Sequence, residues 1–382
     1  MLLKYHYQLR LFVFTFFKIF RCDFLPDSSR MFLKRAKLLI FPIHVGFGTF
    51  CVLWHFFHIK DFTDLMDVCF TCVFFFISYQ SLIVYFGFMI FNKPKFIELF
   101  EYFDFLVTED NSIIYDLRKK YLLENLKLTV YFSKAFLISL TSMGFIVVLY
   151  NLYNSNFISP MIFTIPGISS SHLLFRPINI IYQIIFYFTI VECAIISDVV
   201  VLITISYVQG DFLAIIEFIS HLDEDIDDKN QSKSILKILH ETHKGLQQSI
   251  RLLTQIYWHF YFHKLFTITL YFGGILILVQ SLSEKLPLAI MVTSAMIVQL
   301  FILCFFGQIL KNSSEQLSEA LYLTKWYDMP IKDQKNLLIL MINLQKIVKI
   351  ETFAFGDISI YTFVQISKAA FSYATIIYTF VK

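Results

Sequence analysis

The chain has 382 residues, 57% of them hydrophobic and 16% charged, with 46 phenylalanines and a formal net charge of +3. So apolar a composition, spread over several long charge-poor runs, excludes a water-soluble domain and points to a polytopic helical membrane protein. The near-neutral balance gives nucleic acid no footing. With no phosphate-cradling glycine loop and no nucleophile constellation, an enzyme is not expected.

The first twenty residues carry Lys4 and Arg10 and then LFVFTFF, in the manner of a signal peptide. Lys18 and Arg21 follow, however, and no small-residue cleavage site does, so the expectation is an uncleaved amphipathic segment near the cytoplasmic interface. Runs of about 20 apolar residues place spans near 38–58, 68–91, 129–153, 179–207, 261–283, 287–310 and 356–381. Runs such as VCFTCVFFFISYQSLIVYFGFMIF (68–91) are apolar on every side, which rules out the alternation of a barrel strand.

Lysine and arginine sort the two sides. Residues 1–37 carry eight of them, and Lys93, Lys95, Arg118, Lys119, Lys120 and Lys127 follow the second span. The connections after the fourth and sixth spans are similarly basic, whereas the opposite side has Lys60, Arg176, Lys285 and Lys382. The positive-inside rule therefore predicts a cytoplasmic N-terminus and, after seven spans, an extracellular C-terminus. This is the reverse of a G-protein-coupled receptor, whose Asp-Arg-Tyr and Asn-Pro-x-x-Tyr signatures are missing too.

The inner connections are too long for turns. Between 232 and 260, Ile235, Ile238, Leu239, Leu246, Ile250, Leu253 and Ile256 recur at three- and four-residue steps, so the fourth and fifth spans are expected to continue into the cytoplasm as helices. DEDIDDKN (223–230) reads as a loop. His240-x-x-His243 and His259-x-x-x-His263 have zinc-compatible spacing, but no Cys or Glu completes a set, and neither metal nor cofactor is predicted.

The C-terminal third carries a family resemblance. CFFGQILKNSSEQLSEALYLTKWYDMP (304–330) resembles the sixth span and following segment of insect odorant receptors, with Cys304, Phe305, Phe306, Gly307, Tyr322 and Trp326 at the motif positions. The tail from Asn343 onward continues it to Phe371, Ser372 and Tyr373, and HETHKGL resembles that family's His-containing cytoplasmic helix. Ala369-Ala370 departs from the serines the family often has there. The resemblance implies an odour-gated, non-selective cation channel in the plasma membrane of sensory neurons. It implies a tetramer, assembled with a co-receptor subunit or from identical chains, whose last helices line a central pore and whose cytoplasmic helices form a shared anchor domain, with Tyr322 and Trp326 as anchor residues. The short second cytoplasmic connection fits the ligand-tuning subunit rather than the co-receptor. On this reading, residues 1–310 carry the first six spans and the odorant pocket, and 311–382 carry an anchor helix and the pore helix.

Along the last span, Gln365, Ala369, Ser372, Ile376 and Thr379/Phe380 share one stripe, small and polar first and apolar at its end. Such a stripe suits a wetted pore closed by dewetting, with Ile377 and Val381 as gate candidates in the neighbouring register. A ligand pocket is expected in the outer half of the bundle. Its candidates are Phe74, Phe75 and Tyr79 on span two, Thr141, Gly144 and Val148 on span three, Tyr182 and Phe186 on span four, and Met291 and Met296 on span six. Aromatic and methionine side chains offer dispersion contacts to small volatiles. The same residues also suit ordinary helix packing. A gustatory receptor shares this architecture. A secondary transporter is the other alternative, hinted at by Glu192 and Asp198 within span four.

Overall fold

The computed structural model describes residues 1–21, 36–58, 65–108, 113–154, 163–168, 171–221, 229–280, 286–352 and 356–381. Within these, the side chains of 65–67, 69–70, 113, 229–235, 273–280, 286–289, 374 and 377–381 lie outside the described set. The predicted loop at 223–230 therefore falls largely outside the described residues.

The described chain is almost wholly helical. Helix α1 (Leu2–Phe20) buries Leu2, His6, Leu9, Val13, Phe16 and Phe20 at three- and four-residue steps. A 3-10 turn (Lys37–Leu39) leads into α2 (Ile40–Phe57), and α3 (Leu65–Val84) ends in a π-helical turn at Tyr85–Phe91. Asn92 closes that turn, and Pro94 opens α4 (Lys93–Val107), where its missing N–H costs no helical hydrogen bond.

The next four helices are the long ones. They are α5 (Ile113–Asn154), α6 (Phe175–Ser220), α7 (Lys229–Gln280) and α8 (Leu286–Tyr322), of 42, 46, 52 and 37 residues. At 1.5 Å per residue the longest reach roughly 60–80 Å, about twice a hydrocarbon core, so they must continue well beyond it. This is the continuation expected from the 232–260 periodicity, and Leu239, Leu246, Ile250, Leu253 and Ile256 are all buried. A 3-10 turn (Trp326–Asp328), α9 (Ile331–Leu344) and a two-stranded hairpin follow, with β1 (Glu351–Thr352) antiparallel to β2 (Gly356–Asp357). The chain then rises into α10 (Ile360–Val381).

Five helices among the described residues are long and apolar enough to cross a membrane: Lys37–Phe57, Thr71–Phe91, Ile114–Asn154, Phe175–Ser220 and Ile290–Asp328. They coincide with predicted spans one to four and six. The other two predicted spans occupy the end of α7 and α10, helices whose terminal side chains are outside the described set.

Helix α6 is the trunk of the fold. It contacts α2, α3, α5, α7 and α8, as well as α1, and every residue from Ser197 to Val208 is buried. A helix covered on all sides must pair each of its polar side chains, with its own carbonyls, as Ser197 does with Ala194, or with a neighbour, because an unpaired polar group in this setting costs several kcal/mol (about 2–7). Thr129 of α5 donates to Ser206 at 2.7 Å, and Thr204 meets the Tyr257 hydroxyl of α7 at 3.3 Å. Lys264 of α7 pairs with both carboxylate oxygens of Asp198. Arg118 Nε of α5 donates to Asp211 Oδ1 at 2.8 Å, while the Tyr102 hydroxyl of α4 donates to Oδ2 at 2.5 Å. Burial, and then the Asp211 charge beside it, push the Tyr102 phenol well above its ordinary value.

At Tyr207 the partner is α1. Its hydroxyl lies 2.8 Å from His6 Nδ1, and its ring stacks on Phe103 with centroids 4.3 Å apart. His6 Nε2 lies 3.0 Å from Asp104 Oδ1, and Arg10 holds the other oxygen at 2.7 Å. A neutral imidazole can offer one N–H to the carboxylate and one lone pair to the phenol. Burial, the largest influence, lowers the His6 pKa below the usual 6.5 against the opposing charge and hydrogen bond of Asp104, and Arg10 lowers it further.

Two outcomes are expected. Asp211→Ala leaves Arg118 buried without its charge partner and should cost about 3–5 kcal/mol, read as a lower thermal midpoint of the purified protein. His6 holds fewer protons docked than free, so its contribution is complete above about pH 6.5 and is lost as pH falls through its lowered docked value. Hydrogen-exchange protection factors across residues 2–20, taken relative to the intrinsic rate at each pH, should therefore fall at about pH 5.5 relative to about 7.5, and His6→Gln should remove that fall.

Candidate functional site

Where α3, α5, α6, α7 and α8 meet, they enclose a cavity of about 150 Å³ with a mainly apolar wall. Each helix contributes one stripe. From α5 these are Leu140, Gly144, Val147 and Asn151, with Met143 beside them; from α6, Tyr187, Val191, Ala194 and Ile195. Val292, Ala295, Met296 and Gln299 line it from α8, and Val73, Phe74, Ile77 and Gln80 from α3. Lys264 and Ile268 of α7 complete it. Each set follows three- and four-residue spacing, so each is one helix face. Two wider clefts, of about 420 and 440 Å³, lie among α1, α4, α5 and α7 and are edged by Arg118 and Glu241 or by Lys18, Arg21 and Lys93. Their charged rims suit a volatile ligand poorly.

Of the ten predicted pocket residues, Phe74, Gly144 and Met296 stand in the cavity wall. A Cβ on Gly144 would sit 3.6 Å from the Tyr187 ring, so this glycine sets the width of the cavity beside that tyrosine. The other seven lie elsewhere, mostly because of helix phase. Tyr182 and Val191 are nine residues apart, half a rotation on an α-helix. Tyr182 and Phe186 accordingly face α2. The Tyr182 hydroxyl donates to the His44 carbonyl at 3.2 Å, and Phe186 fills the space a side chain at Gly48 would need. Thr141, one position from the α5 stripe, donates to Glu192 Oε1 at 2.6 Å. Val148 is buried beside that stripe, and Phe75 packs against Phe76 with centroids 5.4 Å apart. Tyr79 is 45% exposed and edges His263, while Met291 is half-buried one position before the α8 stripe. Glu192 and Asp198, the two intramembrane carboxylates, thus both have partners inside the bundle.

Sequence reasoning missed Gln80, Asn151, Tyr187, Lys264 and Gln299, the polar members of the wall. Lys264 had a signal: a lone lysine in the apolar run YWHFYFHKLFTITLYF (257–272), matched by the noted carboxylate at Asp198.

In α10 the stripe read as a pore lining faces largely outward along its described part. Gln365 and Ser372 are exposed, Ala369 is half-buried and Ile376 is 47% exposed. Ile366 and Ala370, on the adjacent stripe, are buried against α7 and α8. The side chains of Ile377, Thr379, Phe380 and Val381 lie outside the described set. The Cys304-to-Gly307 motif sits where α8 meets the foot of α10. Cys304 is fully buried, and a Cβ at Gly307 would lie 2.3 Å from the Ile358 carbonyl oxygen. One turn on, Lys311 Nζ reaches Asp357 Oδ2 at 3.1 Å. Tyr322 is 68% exposed, and Trp326 packs partly on the core.

The 7tm Odorant receptor family model matches residues 61–371, and the chain belongs to that family. Its fold is that of solved insect olfactory receptors. The structure of olfactory receptor OR5 from Machilis hrabei in complex with eugenol superposes with a TM-score of 0.77 at 14% identity, covering 99% of this chain and 100% of that one. A second OR5 structure from the same insect gives 0.75 at 15% identity, covering 97% and 98%. A search among curated proteins finds no match. The family is one of receptors, not of enzymes.

Because the atom facing Gly307 is backbone, no side chain can swing aside. Gly307→Ala is expected to lower stability by about 1–3 kcal/mol, measured as thermal midpoint in detergent. Gly46→Ala, where a Cβ meets nothing within 4 Å, is the matched control.

Proposed function

We propose that this receptor is the ligand-tuning subunit of an odorant-gated, non-selective cation channel. The observation that carries the reading is one helix serving two places: α8 walls the cavity through Val292, Ala295, Met296 and Gln299, and abuts the foot of α10 through Gly307 and Lys311. The family membership and the eugenol found in the OR5 complex support a small volatile as occupant of the cavity.

A ligand that fits the open-state cavity better than the closed one shifts the equilibrium by that difference in affinity. Displacement of α8 and α7, both packed on α10, then moves the pore helix. Four copies of α10 around an axis would each turn Gln365, Ala369, Ser372 and Ile376 inward, a wetted lining that ends in large apolar groups. The exposure of Gln365, Ser372 and Ile376 in a single subunit fits this arrangement. The exposed apolar residues Tyr322, Tyr327, Ile331, Leu338, Ile339 and Ile342 fit an anchor surface covered by neighbouring subunits. With the basic connections inside, the N-terminus is cytoplasmic and the C-terminus extracellular. Residues 1–310 then hold the ligand-binding spans, and 311–382 the anchor helix and pore helix. The complex is a heterotetramer with a co-receptor, or a homotetramer, in the plasma membrane of sensory neurons.

Whole-cell recording of this chain with and without an insect co-receptor, under a panel of volatiles, tests the proposal. Odour-gated cation current is expected, with Gly144→Phe abolishing or retuning it at unchanged surface expression. Cysteines at Gln365 and Ser372 should be modified from the aqueous path, and cysteines at Ile366 and Ala370 should be protected. Silence towards every odorant despite surface expression, or the reverse pattern of cysteine modification, would remove the reading.

A further inference from the structure

The cavity wall is not uniformly apolar, and its polar groups are sorted by depth. Helices α3, α6 and α8 cross in one direction and α5 and α7 in the other. Gln80, Ile195 and Gln299, late in their stripes, therefore lie level with Lys264, early in its own. Val73, Tyr187 and Val292 lie at the opposite end, level with Asn151. One end of the cavity thus gathers Gln80, Gln299 and Lys264, with apolar side chains in between.

Two of these three groups are buried and carry donors to spare. Lys264 is 2% exposed, and its described hydrogen bonds go to the two oxygens of Asp198, which leaves the third N–H of the ammonium without an acceptor among the described residues. Gln80 is 5% exposed, and its amide has no hydrogen-bond partner among the described residues. Buried polar groups are normally paired, and a donor left facing a cavity is an unmet demand that a ligand can meet. An apolar cavity of about 150 Å³ holds benzene.

We propose that the cavity selects neutral odorants about the size of one aromatic ring that carry a hydrogen-bond acceptor, such as a ketone or aldehyde carbonyl, at one end. Gln80 and Lys264 receive the acceptor, and the apolar stripes of α5, α6 and α8 hold the body. Asp198 is a positioning residue that keeps Lys264 at the end of the cavity without cancelling its spare donor. Isosteric hydrocarbons leave both donors unpaired and pay for it in affinity, because a site built around a hydrogen bond discriminates against an analogue that lacks it. This inference rests on the cavity being the odorant site.

The test compares acetophenone with cumene, which has nearly the same shape without the carbonyl oxygen, on the assembled receptor. Both current and the thermal midpoint of the purified complex are read. Acetophenone is expected to open and stabilise the receptor at concentrations about tenfold or more below cumene. Gln80→Leu should weaken the acetophenone response about tenfold and spare that to cumene. The double variant Lys264→Met with Asp198→Leu, which removes the ion pair as a unit, should do the same. Equal potency of the two probes, or variants that shift both alike, would overturn the proposal. Stabilisation by acetophenone without current would keep the ligand class and remove the channel reading. Currents evoked by other volatiles, with acetophenone neither opening nor stabilising the receptor, would keep the channel and overturn the ligand class.

Discussion

The architecture depends on a helix that has no outside. From Ser197 to Val208 every side chain of α6 is buried, and apart from Ser197, which bonds its own helix at the Ala194 carbonyl, its polar side chains are answered from neighbouring helices. Thr129 answers Ser206, Tyr257 answers Thr204, Lys264 answers Asp198, His6 answers Tyr207, and Arg118 with Tyr102 answers Asp211. Hydrophobic burial alone would let helices slide and rotate past one another. Directional contacts at successive levels of one axis set the register of α1, α4, α5 and α7 around it. Ion pairs of this kind add little net stability over an apolar core, but losing one partner is expensive, which makes them effective determinants of register.

The cavity follows from that register. With the phase of α6 set by its polar contacts, Tyr187, Val191 and Ala194 face α5 and α8, and Tyr182 and Phe186 are turned onto α2. The crossing at Gly48 is filled by the Phe186 ring, whereas beside Gly144 the space remains open. The two glycines thus have opposite consequences, decided by how closely an aromatic ring of α6 approaches: Phe186 would lie 2.0 Å from a Cβ at Gly48, and Tyr187 3.6 Å from one at Gly144. The Asp198–Lys264 pair belongs both to the trunk and to the cavity wall, so the contact that positions α7 also supplies polarity to the pocket.

Helix α8 connects the cavity to the last helix. Its first turns line the cavity, and some three turns later Gly307 lets it approach the backbone at Ile358 more closely than any side chain would allow. The small hairpin held by Lys311 and Asp357 keeps the foot of α10 against it. A rigid helix touching both places transmits a shift at one end to the other, whereas a loop would absorb it. Phe301 of α8 meeting Phe363 of α10, with centroids 5.6 Å apart, adds a second contact along the same pair of helices.

The sequence by itself determined the class, the placement of five of the spans, the long helical continuations and the family. All of these are written in composition, in three- and four-residue periodicity, and in the local run from Cys304 to Trp326. It also singled out Phe74, Gly144, Met296 and the lone carboxylates. Which face of each span looks into the cavity was decided only by the tertiary structure. Periodicity marks a buried face by contrast with a polar one, and helices apolar all round carry no such contrast. Tyr182 and Tyr187 are therefore equivalent in sequence and opposed in space. Their difference, like the pairing of Lys264 with Asp198 across 66 positions, exists only once the polar contacts of α6 have set every helix in phase.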